Sequence, residues 1–360
     1  MRESRRAVST PRRSLMASGL IAALVGCSSP PQPPAEPALP DGTYAFVVNA
    51  RSSDLQVLDA GTMVAAARPV PVGSVPSDVV LSSDAQRAYV ISPSSNNVTV
   101  VDTRSATVIG EPLRAGIFPS ALALSPDGSA LYVAGGESDD LRAFDTRTHR
   151  PIGAPVSIGD APSGIAISPD GTTVFATGHY SNDVRLVDAQ SWRVVGEPIR
   201  VGARPSQISM SRDGLRAYVT NSGADSVSVL DVESQRVIGS AIPVGLYPYG
   251  VVVSRDGARV LVANQNSDTV SVIDTATAMV MRTIPVGDSP TTIALSPVGD
   301  LAYVTNMYAD TISVISIETL SVTEVSGTSA QSPRGIALGT LSNVDAGDVS
   351  KRPRPGKDAP

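Results

Sequence analysis

The chain has 360 residues, of which 42% are apolar, 4% aromatic and 17% charged, with 30 glycines and 29 prolines. That length fits one large domain or two ordinary ones, and an apolar content drawn mainly from Val, Ile, Leu and Ala favours strands over helices. A single cysteine excludes a disulfide-stapled fold, and a net charge of −6 argues against nucleic-acid binding as the main role.

Residues 1–26 read as an export signal: five arginines, then an apolar run from Leu15 to Val25. The run is too short for a membrane-spanning helix, which needs roughly 20 residues. Leu24-Val25-Gly26-Cys27 resembles the lipobox of bacterial lipoproteins. The resemblance implies cleavage before Cys27 and acylation of its sulfur, so the expected partner is membrane lipid and the expected location is exported and membrane-tethered. Pro11-Arg12-Arg13-Ser14-Leu15-Met16 also resembles a twin-arginine export motif, although paired arginines are common in basic leaders. Residues 27–40 follow as a proline-rich, extended tether. Cleavage leaves 23 basic and 33 acidic residues, a net charge of about −10.

From residue 41 onward the chain repeats. Asp59, Asp102, Asp145, Asp188, Asp231 and Asp274 are spaced 43 residues apart, and Ser316 follows after 42. Prolines keep the same register at 76, 119, 162, 205, 248, 290 and 333, so one deletion between Asp274 and Pro290 accounts for every irregularity. Each period holds four short apolar runs rich in Val, Ile and Thr, separated by turns such as Ser168-Pro169-Asp170-Gly171. Four strands in a period of 40 to 45 residues make one propeller blade, which needs neighbours to bury both of its faces. The repeat region starts at a second strand, TYAFVVNA, and finishes after a first strand, PRGIALG. The expected fold is therefore all-β: a seven-bladed propeller over 41–340 with four-stranded antiparallel blades. The N-terminal strands and a C-terminal first strand share one blade, which removes two strand edges that would otherwise be exposed. Residues 341–360 are expected to form a disordered tail.

"AYVTNSGADSVSVLD" and "AYVTNMYADTISVIS" are similar to the YVTN family of β-propeller repeats, and the likeness spans 41 to about 340. It speaks for the fold more than for function. Asn49, Asn221, Asn264 and Asn306 close the second strand, and Asn96, Asn182, Asp225, Asp268 and Asp310 lie four residues after that position. Both sets read as organisers of the turn between second and third strands. Asp231 and its equivalents read as caps of the next turn.

Function is expected where a blade departs from its own consensus. On the face carrying the second-to-third and fourth-to-first connections, the departures are Arg51, Phe118, Glu137, Asp160, His179, Tyr180, Arg204, Tyr247, Tyr249, Asp288, Met307, Tyr308 and Arg334. Aromatic and arginine side chains around a channel mouth suit a binding surface. His149 falls on the opposite face. No metalloprotease, P-loop, nucleophile-elbow or paired-cysteine pattern occurs, and no cofactor or metal is expected. The leading expectation is a lipid-anchored binding module without catalysis, taking an unidentified small molecule or protein on the channel face. The alternative is an enzyme resembling the lactonase or streptogramin B lyase propellers. In that case Glu137, Asp160, His179 and Asp288 would hold a divalent cation. Arg51, Arg204 and Arg334 leave room only for a local nucleic-acid patch, and none is expected to matter.

Overall fold

In a computed structural model, residues 38–325 and 330–342 are described. Cys27, the export signal, most of the tether and residues 343–360 of the expected tail lie outside them, whereas Leu341, expected to begin that tail, is the buried last residue of a strand. The chain forms seven β-sheets in sequence, each an antiparallel meander. The inner strands are β4 (Asp78–Leu81), β9 (Pro119–Leu124), β13 (Pro162–Ile167), β17 (Pro205–Met210), β21 (Pro248–Val253), β25 (Pro290–Leu295) and β29 (Pro333–Leu341). Each packs against the next, and β29 packs against β4, so the inner strands close a ring around a central channel. Proline opens most of them, a position where its missing N–H removes no ladder bond.

Closure follows the expected route. β29 pairs antiparallel with β1 (Gly42–Asn49), from Gly42 opposite Leu341 to Asn49 opposite Pro333. The strands β1, β2 (Asp54–Asp59) and β3 (Val70–Pro71) then complete blade 1. Blades 2 to 7 follow in chain order.

The core lies between blades rather than within them. Phe46, Val48, Leu55 and Val57 of blade 1 are sealed against Val79, Ala88, Val90 and Val101 of blade 2, and comparable clusters fill the spaces farther round. The second strands are almost wholly buried, whereas outer strands such as Arg193–Arg200 show most residues to solvent. Sequence alternation is therefore clear only where a strand has one wet face.

The deleted residue is located by the outer-strand bulges. In blade 5 the pairing steps from Val227–Ile242 to Val229–Ile238, with Gly239 at φ 68 in the bulge. Blade 6 steps from Val272–Arg282 to Ile273–Val280 and has no left-handed glycine in that strand. The deletion thus shortens a bulge on an exposed edge, where it disturbs neither core nor channel.

At the N-terminal end of the described ring, Leu39 is buried in the cluster between blades 1 and 2. Its amide donates to Arg104 O at 2.7 Å, and Arg104 donates back to Leu39 O at 3.0 Å and pairs with Asp41 at 3.0 Å. The last residues of the expected tether are thus fastened to a third-to-fourth-strand turn. That turn lies on the face opposite the mouth of the channel.

Candidate binding face and channel throat

The repeat residues build the rim of the mouth. Asn221 Nδ2 donates to Ser226 Oγ at 3.3 Å and Ser228 Oγ at 2.9 Å, within its own turn. Asp225 instead reaches the next blade and accepts from the Tyr247 amide at 2.8 Å. Equivalent bonds run from the amides of Phe118 to Asn96, Arg204 to Asn182, Ser289 to Asp268 and Ser332 to Asp310, at 2.6 to 2.9 Å. The acceptors expected to organise a turn therefore also join neighbouring blades. The threonine of the YVTN pattern does the same deeper down: Thr220 Oγ1 donates to Tyr249 O at 2.7 Å and Thr305 Oγ1 to Arg334 O at 2.6 Å. Asp231 caps its turn as expected, accepting from the Ser234 hydroxyl at 2.5 Å and the Ser234 amide at 2.8 Å. Those bonds hold its carboxyl below the usual aspartate range.

Before each inner strand, one residue is held left-handed: Val75, Phe118, Ala161, Arg204, Tyr247, Ser289 and Ser332 have φ between 50 and 58. None is glycine, so each position costs about 1–2 kcal/mol of backbone strain. The amide bonds just described offset part of that cost. Further support comes from each blade's own turn, as where the amides of His179 and Tyr180 donate to the carbonyls of Ala161 and Asp160. Phe118, Arg204 and Tyr247 are therefore equivalent positions, and so are Asp160 and Asp288.

The expected site residues fall into two groups. Arg51, Phe118, Glu137, Asp160, His179, Tyr180, Arg204, Tyr247, Asp288 and Tyr308 lie on the rim. Tyr180 is 63% and Tyr308 67% exposed, while the neighbouring Met307 is buried. His179 meets Tyr180 edge-on at 5.0 Å, and its Nδ1 lies 3.3 Å from Pro205 O. A carbonyl can only accept, so the proton belongs on Nδ1. Burial, aided by the Arg204 charge, holds this imidazole below its usual pKa against the opposing pull of the Pro205 carbonyl.

Tyr249 and Arg334 require a correction: they were expected on connections, but each follows the proline that opens an inner strand and so stands in the channel wall. With them stand two residues that the sequence reading missed, Asp78 on β4 and Gln207 on β17. The signal was present, because the positions equivalent to Asp78 hold Ala121, Gly164, Gln207, Gly250, Thr292 and Gly335.

Tyr249, on β21, is close enough to Asp78, Gln207 and Arg334 for each to act on its phenol. Burial raises its phenol pKa first, and the Asp78 carboxyl raises it further; Gln207 and Arg334 beside it act in the opposite sense. Desolvation pushes Asp78 up to about 7, against the single bond from the Val79 amide at 2.9 Å. Asp78 keeps a strip of accessible surface although protein surrounds it, as expected of a side chain in a narrow channel. No ion pair joins Asp78 to Arg334 among the described residues, although their strands adjoin. The throat thus holds a carboxyl, a guanidinium, a phenol and an amide without the pairing that usually accompanies buried charge.

The chain matches the model of the YNCE-like β-propellers over residues 15–341. It belongs to the YNCE-like β-propeller family. No curated protein matches this YNCE-like chain. Solved propellers do. A functionally unknown protein from Desulfotomaculum acetoxidans is 19% identical with a TM-score of 0.71, the match covering 82% of this chain and 98% of that one. A Bacteroides uniformis protein provisionally named a 6-phosphogluconolactonase is 14% identical with a TM-score of 0.70, covering 83% and 100%. Virginiamycin B lyase from Staphylococcus aureus is 14% identical with a TM-score of 0.59, covering 69% and 83%. At such identities the likeness shows a shared fold.

The residues of the enzyme alternative come from three blades of this YNCE-like ring. Glu137 stands on blade 3, Asp160 and His179 on blade 4, and Asp288 at the start of blade 7. Among the described residues, no three His, Cys, Asp or Glu side chains gather where one ion could touch them all. Nor do the three arginines form one basic patch: Arg51 pairs with Asp310 at 3.2 Å, Arg204 is on the rim and Arg334 is in the throat.

Proposed function

We propose that the protein is a lipid-anchored, extracytoplasmic binding module that takes its ligand at the channel mouth. One observation carries the reading: the two ends of the described ring lie on one face, and the exposed aromatic side chains Phe118, Tyr180 and Tyr308 lie on the rim of the other. β1 starts and β29 ends opposite the mouth, where Leu39 and Arg104 fasten the incoming chain. A tether acylated at Cys27 would then hold that face toward the membrane and the mouth away from it. Several acyl chains anchor stably where one does so only marginally.

A lactonase-like or lyase-like activity would need Glu137, Asp160, His179 and Asp288 to act on one point, and their spread over three blades favours binding over that chemistry. A rigid ring whose connections vary independently suits recognition.

The test is fractionation of cells expressing the full chain or its Cys27→Ala variant, with intact mass measured on the membrane-extracted protein. The expected result is a membrane-bound wild type carrying the mass of a lipid, and a variant that is soluble or remains uncleaved. A variant that stays in the membrane as a mature chain contradicts the anchor.

A further inference from the structure

We infer that the throat binds an aliphatic organic anion: a carboxylate or phosphate held by Arg334, Ser77 and Ser289, with its hydrocarbon part running down the channel along β25, β29 and β4. This rests on the reading of the mouth as a binding face, and it names the ligand class for that site.

Three observations support it. The first is a set of donors without acceptors. Ser77 Oγ, Ser289 Oγ and Arg334 Nε are each shielded from solvent and lack a hydrogen-bond partner among the described residues. Buried donors are ordinarily satisfied, and leaving one unmet is costly, most of all on a charged group.

The second is placement. Ser77 and Arg334 each follow the proline at the mouth end of their inner strand, Pro76 or Pro333, and Ser289 directly precedes Pro290, so all three stand near that end of the channel wall. Their strands β25, β29 and β4 are successive members of the ring. Arg334 is only half-buried, leaving part of the side chain accessible from the channel. A guanidinium and two hydroxyls on adjoining strands can supply donors to carboxylate or phosphate oxygens. The nearest carboxyl does not occupy it, since Asp78 turns to the Val79 amide at 2.9 Å.

The third is a space along the same three strands. A cavity of about 550 Å³ has a polar end at Ser82, Ser83 and Thr340, on the side away from the mouth, and an apolar lining of Val79 and Leu81 of β4, Ala294 of β25, and Ile336, Ala337 and Leu338 of β29. These residues follow the donors by two to five positions, roughly 7–17 Å along a strand. That span matches a short alkyl chain better than a bare ion.

The probes are octanoate, acetate and inorganic phosphate, titrated into the full chain at constant ionic strength and read by calorimetry and melting temperature. Octanoate is expected to bind saturably and raise the melting temperature, with acetate and phosphate at least tenfold weaker. Arg334→Gln should weaken octanoate roughly tenfold or more, the scale of a lost charge-assisted bond, and Arg236→Gln, on the exposed outer strand of blade 5, should leave it unchanged. Phosphate or acetate binding as tightly as octanoate overturns the apolar part. Equal octanoate affinity in wild type and Arg334→Gln, or no saturable binding by the wild type, overturns the site. If Arg334→Gln fails to fold, Ser77→Ala with Ser289→Ala is the substitute, with severalfold weakening expected and no change counting against the donors. Because fractionation does not depend on the throat, failure here leaves the anchor reading standing, and loss of the anchor leaves this binding measurable.

Discussion

Asp78 shows how one side chain can set the pH response of the ring. Its ordinary pKa is 3.8 and the fold pushes it up to about 7. Below the lower value both folded and unfolded chains are protonated there. Between the two, the folded chain holds a proton that the unfolded chain has released, so Asp78 makes stability fall as pH rises. The loss is complete above about 7 and is on the order of 4 kcal/mol at most, since water reaching Asp78 through the channel reduces it. Turn aspartates such as Asp231 act oppositely, because their lowered pKa values give stability that is lost only on acidification below the usual carboxylate range. Urea denaturation between pH 4.5 and 8 should therefore show Asp78→Asn flatter than wild type over that window and more stable above pH 7. Parallel curves for the two proteins would mean that Asp78 titrates normally.

Blade closure is the critical feature among the elements. Removing residues after Ala330 deletes β29 and leaves β1 without its inner partner, exposing an unpaired edge beside Phe46 and Val48. It also removes the Ser332 amide that Asp310 holds and the Arg334 carbonyl that Thr305 bonds. The truncated chain is expected to melt well below the full one and with less cooperativity, as followed by calorimetry; coincident transitions would show that the closing strand contributes little. Much of this was legible in the sequence, since the 43-residue spacing and the misplaced first and last strands fix blade count and closure together. The links between blades were not. Nothing local in the sequence says that Asp225 bonds an amide 22 positions away, because that contact exists only once two blades pack. Tyr249 and Arg334 were placed on connections for a related reason: the proline before each marks the start of a strand as readily as the end of a loop.

Across the whole molecule, repetition accounts for the scaffold and its exceptions for the task. Seven equivalent rims are joined by the same bonds, so the residues that make them say little about the ligand. The throat breaks that equivalence, with Asp78, Gln207, Tyr249 and Arg334 where other blades carry small or uncharged side chains. Desolvated polar groups without partners weaken a fold and are retained where a ligand uses them. The central claim is that the throat serves binding rather than stability, and Arg334→Met tests it most directly, because methionine keeps the apolar stem and removes the charge. In urea denaturation at neutral pH the variant is expected to match or exceed wild type, by up to about 2 kcal/mol. A loss of more than about 1 kcal/mol would contradict the claim and make Arg334 part of what holds the ring together.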